Sequence, residues 1–341
     1  MNRIITGKLR LLGEFCLFGA LAGIIFQLLR DGFVDFRAIL MGVPIGFAYG
    51  IMELFVLSGF RKNFLKIPLI LTIFLKALIY LIIIYFVTGT IGLLVGLSEG
   101  KQIEEWYQSL VSHDQLILII YILLFYISLS FYTHINLLLG EGALLKFLLG
   151  KYRKPSGEHR IFMFLDIKSS TTLAERLGLE NYYSLLNDFF HEISEPVRST
   201  NAEIYQYVGD EVVLTWKTKE GIDNSNCLKI FFEIQEKVYA NRKYYRSKYG
   251  VIPEFKAGVH IGEVISAQIG DIKREIVYNG DVLNTSARIQ EQCNIVKHEL
   301  LLSGILLEQL DIENEYRAEK LDTIKLRGKE SSIDLYSLIQ F

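Results

Sequence analysis

Ile161-Phe-Met-Phe-Leu-Asp-Ile-Lys-Ser-Ser-Thr171 is an apolar run that ends on a carboxylate, and its reading decides the fold of the second half of the chain. The β-prone residues 161–165 predict a buried strand with Asp166 left at its rim. A second stretch, Ile204-Tyr-Gln-Tyr-Val-Gly-Asp-Glu-Val-Val-Leu214, has the same logic. Residues 202–208 and 211–216 read as strands that flank Gly209-Asp210, a hairpin-type turn. Two carboxylates brought to one sheet end form a hard-oxygen site suited to Mg²⁺ or Mn²⁺ carrying a phosphorylated substrate. Further on, Asn284-Thr-Ser-Ala-Arg288 sets an amide and a guanidinium one helical turn apart. Together these pieces suggest phosphoryl chemistry on a nucleotide.

Around these segments the pattern alternates between strand and helix. Residues 171–177 start a helix, and residues 181–197 continue helical with Leu185, Leu186, Phe189, Phe190 and Ile193 at helical spacing. Residues 227–246 read as a helix with Ile230, Phe231, Ile234 and Val238 on one face. Residues 255–261 and 263–270 read as two strands around Gly262, residues 281–293 as a helix, and the end of the chain as a run of short strands closing in Leu335-Tyr-Ser-Leu-Ile339. The predicted class is α+β, a mixed sheet with helices on one side.

The first 140 or so residues are a different material, dense in Leu, Ile, Phe and Gly. The hydrophobic share of 51% averages the two halves. Four apolar stretches, near 11–30, 38–60, 68–92 and 115–138, are long enough to cross a bilayer, which takes about 20 residues. No small-residue cleavage site follows the first, so it is expected to be an uncleaved helix and not a signal peptide. Arg3, Lys8 and Arg10 precede the first stretch, Arg61, Lys62 and Lys66 separate the second from the third, and Lys146, Lys151, Arg153 and Lys154 follow the fourth. The positive-inside rule then puts both ends of this half, and the domain after it, on the cytoplasmic side of the membrane. Four ionisable residues fall within the stretches: Glu14, Glu53, Lys76 and His134. The expectation is that Glu14 and His134 sit near interfaces and Lys76 snorkels, while Glu53 lies deeper. A Glu53–Lys76 pair is the alternative. The division expected is a transmembrane domain over 1–139, an amphipathic linker over 140–157 and a catalytic domain over 158–341.

A net charge of −2 gives no sign of nucleic-acid binding. Three widely spaced cysteines, Cys16, Cys227 and Cys293, argue against a disulfide framework or a zinc site. Singly, Asp166 and Asp210 are ordinary, because an Asp after a strand is commonly a cap or turn residue. The combination is specific. Ser169, Ser170 and Thr171 open a helix whose free N–H groups favour phosphate oxygens. His260, on a strand beside Gly262, reads as a packed residue.

Four motifs in order resemble the class III adenylate/guanylate cyclase catalytic domain: Phe164-Leu-Asp-Ile-Lys-Ser-Ser-Thr171, Tyr207-Val-Gly-Asp-Glu-Val212, Ala257-Gly-Val-His-Ile-Gly-Glu263 and Gly280-Asp-Val-Leu-Asn-Thr-Ser-Ala-Arg288. The likeness covers about 158–340, and the membrane half resembles that of small bacterial four-span cyclases more loosely. It implies a ferredoxin-like fold active as a homodimer. Asp166 and Asp210 of one chain, with the Ile167 carbonyl, would bind two Mg²⁺ or Mn²⁺ ions. Asn284 and Arg288 of the other chain would orient the ribose and stabilise phosphate charge. Arg327, with Lys329 as alternative, resembles the late basic residue on the triphosphate. The implied reaction is ATP to 3′,5′-cyclic AMP and pyrophosphate. Where many members read adenine with a Lys and an Asp or Thr, this chain has Gln206 and Val277, so GTP is the alternative substrate. Two rivals stay open: a nucleotide-binding receptor or scaffold with little turnover, and a diguanylate cyclase, which Val208-Gly-Asp-Glu-Val212 faintly resembles.

Overall fold

The computed structural model describes residues 2–56, 67–98, 113–140, 150–152, 154–312, 315–325 and 332–340. The chain divides into two compact units, Met1–Leu138 and Leu139–Phe341.

The first unit is helical: α1 (Asn2–Asp31), α2 (Phe36–Ile51), α3 (Leu69–Ser98) and α4 (His113–Leu139). Asp35 caps α2, its side chain accepting from the Arg37 N–H. Three segments are long and apolar enough to cross a membrane: Leu11–Asp31, Phe36–Phe55 and Leu116–Ile135. The third expected span lies in α3, 30 residues long, but its apolar stretch among the described residues is the shorter Ile70–Ile83. Large apolar side chains such as Leu29, Ile70 and Leu138 face outward, which lipid, unlike water, favours. The interior is aromatic. Tyr80 packs on Tyr49 and Tyr126, with ring centroids 4.8 and 4.7 Å away.

Lys76 corrects the sequence-based expectation. It does not snorkel: its side chain is buried, and its Nζ lies 2.5 Å from Glu53 Oε1. Tyr80 donates to the other carboxylate oxygen at 3.2 Å. Glu53 sits in a π-helical turn, Met52–Val56, that continues α2. Pairing is what makes a charge tolerable inside an apolar bundle. Residues 141–149, the core of the expected amphipathic linker, lie outside the described residues.

The second unit is built on one sheet of eight strands: β1 (Ser156–Ile167), β2 (Glu203–Val208), β3 (Glu211–Lys217), β4 (Phe255–Ile269), β5 (Glu275–Asn279), β6 (Leu300–Ser303), β7 (Tyr316–Lys325) and β8 (Ser332–Gln340). Their order is β2-β3-β1-β4-β6-β8-β7, with β5 paired to β4 off this path. Only β4 and β6 run parallel among these pairings, so the sheet is mixed. Residues 255–270 do not split into two strands at Gly262, as expected; β4 runs through it.

The helices are α5 (Ser170–Leu177), α6 (Leu179–Glu192), α7 (Ser194–Ser199), α8 (Thr218–Ile222), α9 (Asn226–Ala240), α10 (Arg242–Tyr249), α11 (Asp281–Val296) and α12 (Gly304–Leu307). Alternation along β1 sends Ile161, Met163, Leu165 and Ile167 to one face, where Leu185, Phe189, Phe231 and Ile234 cover them. Phe162 and Phe164 point to the other face, against Val213, Val264 and Val282. Helices therefore cover both faces, and α11 lies on the second, which corrects the one-sided expectation. Gly258 makes that possible: a Cβ there would stand 2.2 Å from the Gln290 backbone nitrogen of α11. Gly258→Ala is expected to cost about 1–3 kcal/mol by overpacking. That is a fall in melting temperature of roughly 3–10 °C for a domain of this size, measurable by thermal unfolding of the full chain.

Candidate active site

Asp166 is the eleventh residue of β1, and the sheet register fixes its neighbours: Glu211 on β3 and Lys256 on β4 stand directly opposite it. The β2–β3 hairpin returns Asp210 to the same rim. Gly209 occupies the first central position of its turn with φ of 63°, where a two-residue hairpin favours glycine. The Asp166 and Asp210 carboxyls come within hydrogen-bonding range. Lys256 Nζ lies 3.4 Å from Asp166 Oδ2, and Gln290 Nε2 donates to that same oxygen at 3.0 Å.

This crowding sets the electrostatics. Burial, then the hydrogen bond and charge of Asp210, raise the Asp166 pKa above the usual carboxylate range, against the pull of Lys256. Glu211 is pushed up to about 7 by burial and by the charges of Asp166 and Asp210. Like charges held this close resist ionisation unless positive charge arrives, as a proton or as a cation. The donor set thus fits a divalent ion. Among the described residues, no group of three or more His, Cys, Asp or Glu side chains converges into a closed cage. Two carboxylates and a strand-end carbonyl match an ion that keeps water and substrate oxygens as its remaining ligands. Ile167 closes β1 opposite Phe255, its side chain in the core.

Ser169 precedes α5 in the left-handed region, with φ of 54°, and its carbonyl accepts from the Leu173 N–H at 2.9 Å. Ser170 and Thr171 form the first turn of α5 and present the N–H groups that a helix start leaves unpaired. Tyr182 hydrogen-bonds to Ser170 and feels the charges of both aspartates; burial and those charges raise its pKa. Gln206 is exposed on the edge strand β2, opposite Val213 and next to a bulge at Tyr205. Val277, part-buried on β5, pairs with Ala267. Asn284 is exposed and Arg288 part-buried on α11. Arg288 and Gln290 are two residues apart, so they point about 200° apart around the helix. Gln290, not Arg288, therefore faces the Asp166 of the same chain. Arg327 and Lys329 lie outside the described residues. His260 is buried, with its Nδ1 2.7 Å from Ser303 Oγ.

The structure brings Asp166 and Asp210 together and turns Gln290, not Arg288, toward them. It also adds Glu211, Lys256, Gln290 and Tyr182, which the sequence reading did not select. The first two become neighbours of Asp166 only through strand register. Gln290 had a signal, lying six residues beyond Asn284 on the same helix.

A mixed-sheet α+β domain with paired acids at the rim of its first strand is the class that the fold and the site define. The family model for the adenylate and guanylate cyclase catalytic domain matches residues 154–340, more than half of the chain, and the chain belongs to that family. It is 34% identical over 208 residues to adenylate cyclase 2 of Rhizobium meliloti, covering 61% of this chain and 57% of that protein. It is 25% identical over 183 residues to adenylate cyclase 1 of the same organism, covering 52% of this chain and 27% of that one. The chain thus spans little more than half, or about a quarter, of the length of these relatives. A solved bacterial light-regulated adenylyl cyclase shares the fold, with a TM-score of 0.55, 18% identity and 65% of each chain covered.

Proposed function

We propose that this chain is a membrane-bound nucleotidyl cyclase that converts ATP to 3′,5′-cyclic AMP and pyrophosphate at a site shared by two copies of itself. The observation that carries the reading is the convergence of Asp166 and Asp210 at one sheet end, within a domain of the cyclase family. The ribose 3′-hydroxyl gives up its proton to solvent and attacks the α-phosphorus; the new P–O bond closes the ring as the bond from the α-phosphorus to the α–β bridging oxygen breaks, and pyrophosphate leaves with that electron pair. Two divalent cations, Mg²⁺ or Mn²⁺, held by Asp166, Asp210 and the Ile167 carbonyl, would acidify the attacking hydroxyl and neutralise the leaving charge. The start of α5, at Ser169, Ser170 and Thr171, offers backbone donors to the phosphates. Asn284 of the other chain holds the ribose, and Arg288 meets the charge that grows on the phosphates. Arg327 is assigned to the triphosphate by family likeness alone. The helices of the first unit anchor the chain as four spans in the inner membrane of a bacterium, with the second unit in the cytoplasm.

Gln206 and Val277 favour a second reading of the substrate. Gln206 can hydrogen-bond a base edge through its amide, and Val277 cannot. A pocket lacking a paired polar reader discriminates by roughly 10–100-fold at best. The test is product formation by the purified full chain offered ATP and GTP in competition with Mn²⁺. Cyclic AMP is expected to predominate, and the paired substitutions Gln206→Lys and Val277→Asp should raise the ATP preference at least about tenfold. Predominant cyclic GMP would make the chain a guanylate cyclase, and no product from either would leave a nucleotide-binding receptor.

A further inference from the structure

Gln206 and Val277 each stand on a strand that pairs on one side only, β2 with β3 and β5 with β4. β2 is the edge of the sheet and is bulged between Ile204 and Gln206, and β5 hangs from β4 outside the main strand order. Three strands, β3, β1 and β4, separate them in the sheet. Sheet hydrogen bonding alone does not set their separation.

A partly buried assembly, with Arg160 at its centre, bridges this gap. The residue before Gln206 is Tyr205 and the residue after Val277 is Tyr278, and their rings lie 5.1 Å apart. The Tyr278 backbone N–H donates to the Tyr205 hydroxyl at 3.3 Å. The guanidinium of Arg160, on β1, covers the Tyr278 ring at 4.8 Å. Arg160 is 1% exposed, and its plane is fixed by Glu203 of β2 at 2.6 Å, Glu158 at 3.1 Å and the Thr215 hydroxyl at 3.1 Å. Only a planar, five-donor head can stack on a ring and hold two carboxylates at once. The segment that leads into β1 is fastened to the same place. Lys151 Nζ lies 3.5 Å from Glu158, and the Tyr152 carbonyl accepts from Gln268, one residue from the Ala267 that pairs with Val277.

We propose that Tyr205, Tyr278 and Arg160 form a clamp that sets the spacing of Gln206 and Val277 and thereby the base selectivity of the site. Arg160 and Tyr205 are positioning residues, not catalytic ones. The inference rests on the cyclase reading only in taking those two positions as the ones that face the base.

The test is the ratio of dissociation constants for mant-GTP and mant-ATP, measured on the full chain with Mn²⁺, which needs no turnover. Tyr205→Phe removes one hydroxyl and keeps the ring. It is expected to shift the ratio at least threefold and to speed amide exchange across 275–279. Arg160→Lys, which keeps the charge and loses the fork, should shift the ratio in the same direction. Tyr245→Phe, a buried tyrosine whose hydroxyl has no hydrogen-bond partner among the described residues, is the control and should leave the ratio unchanged. A ratio moved less than threefold by Tyr205→Phe overturns the clamp, even if Arg160→Lys fails to fold. Wild-type protein that binds both analogues but does not cyclise ATP overturns the activity reading alone. Protein that binds neither overturns both.

Discussion

Asp210→Asn is expected to lower cyclic nucleotide formation by at least about 10³-fold, the scale of removing one fixed electrostatic group from a site that develops charge. Asparagine keeps the shape of the turn residue and its hydrogen bond to Asp166. What it removes is one negative charge that opposes the ionisation of Asp166 and Glu211. The loss should therefore not come from unfolding. In the absence of divalent ions the variant should melt at the wild-type temperature or above it, because a repulsion has been relieved. Wild-type protein should gain thermal stability on addition of Mn²⁺ by mass action, and the variant should gain much less. Turnover that survives in the variant and still responds to Mn²⁺ would refute the assignment of Asp210.

How much of this was legible beforehand depends on which constraint acted. The strand ending at Asp166 and the hairpin carrying Asp210 are written in local pattern: an apolar run, a Gly-Asp turn, a second apolar run. Gly262 misled because glycine inside a strand signature usually marks a break. Here Gly258 and Gly262 are spaces for α11: Gly258 lets the helix backbone approach, and a Cβ on Gly262 would stand 3.1 Å from Val282. The need arises from the far side of the sheet, about 25 residues later in the chain, so no local window contains it. The same holds for Lys256 and Glu211, ordinary charged residues until strand order sets them beside Asp166. In the first unit, Glu53 and Lys76 were each visible as charges in apolar helices. Their pairing required the helices to be packed, across 23 residues of separation.

Mixing Asp166→Ala with Arg288→Ala, each inactive alone, is expected to restore activity, and the argument lies in the geometry of α11. Gln290 projects from that helix onto the Asp166 carboxylate of its own chain. Arg288 projects roughly the opposite way, given about 100° of rotation per residue. Arg288 therefore points away from the Asp166 of its own chain, which supports the proposal that a second copy supplies it. In a two-fold dimer the two sites are equivalent, each taking its acids from one subunit and its arginine from the other. A heterodimer of the variants then holds one intact site and one doubly broken one. With equal mixing half of the dimers are heterodimers, so about a quarter of the wild-type activity should return. The recovered activity should also scale with heterodimer fraction when the mixing ratio is varied, and Asn284→Ala should replace Arg288→Ala as the complementing partner. Heterodimers that form but stay inactive would mean that one chain supplies both halves of its site. In that case α11 would have to rotate or unwind in the nucleotide-bound state, and the contact between Gln290 and Asp166 would be broken there.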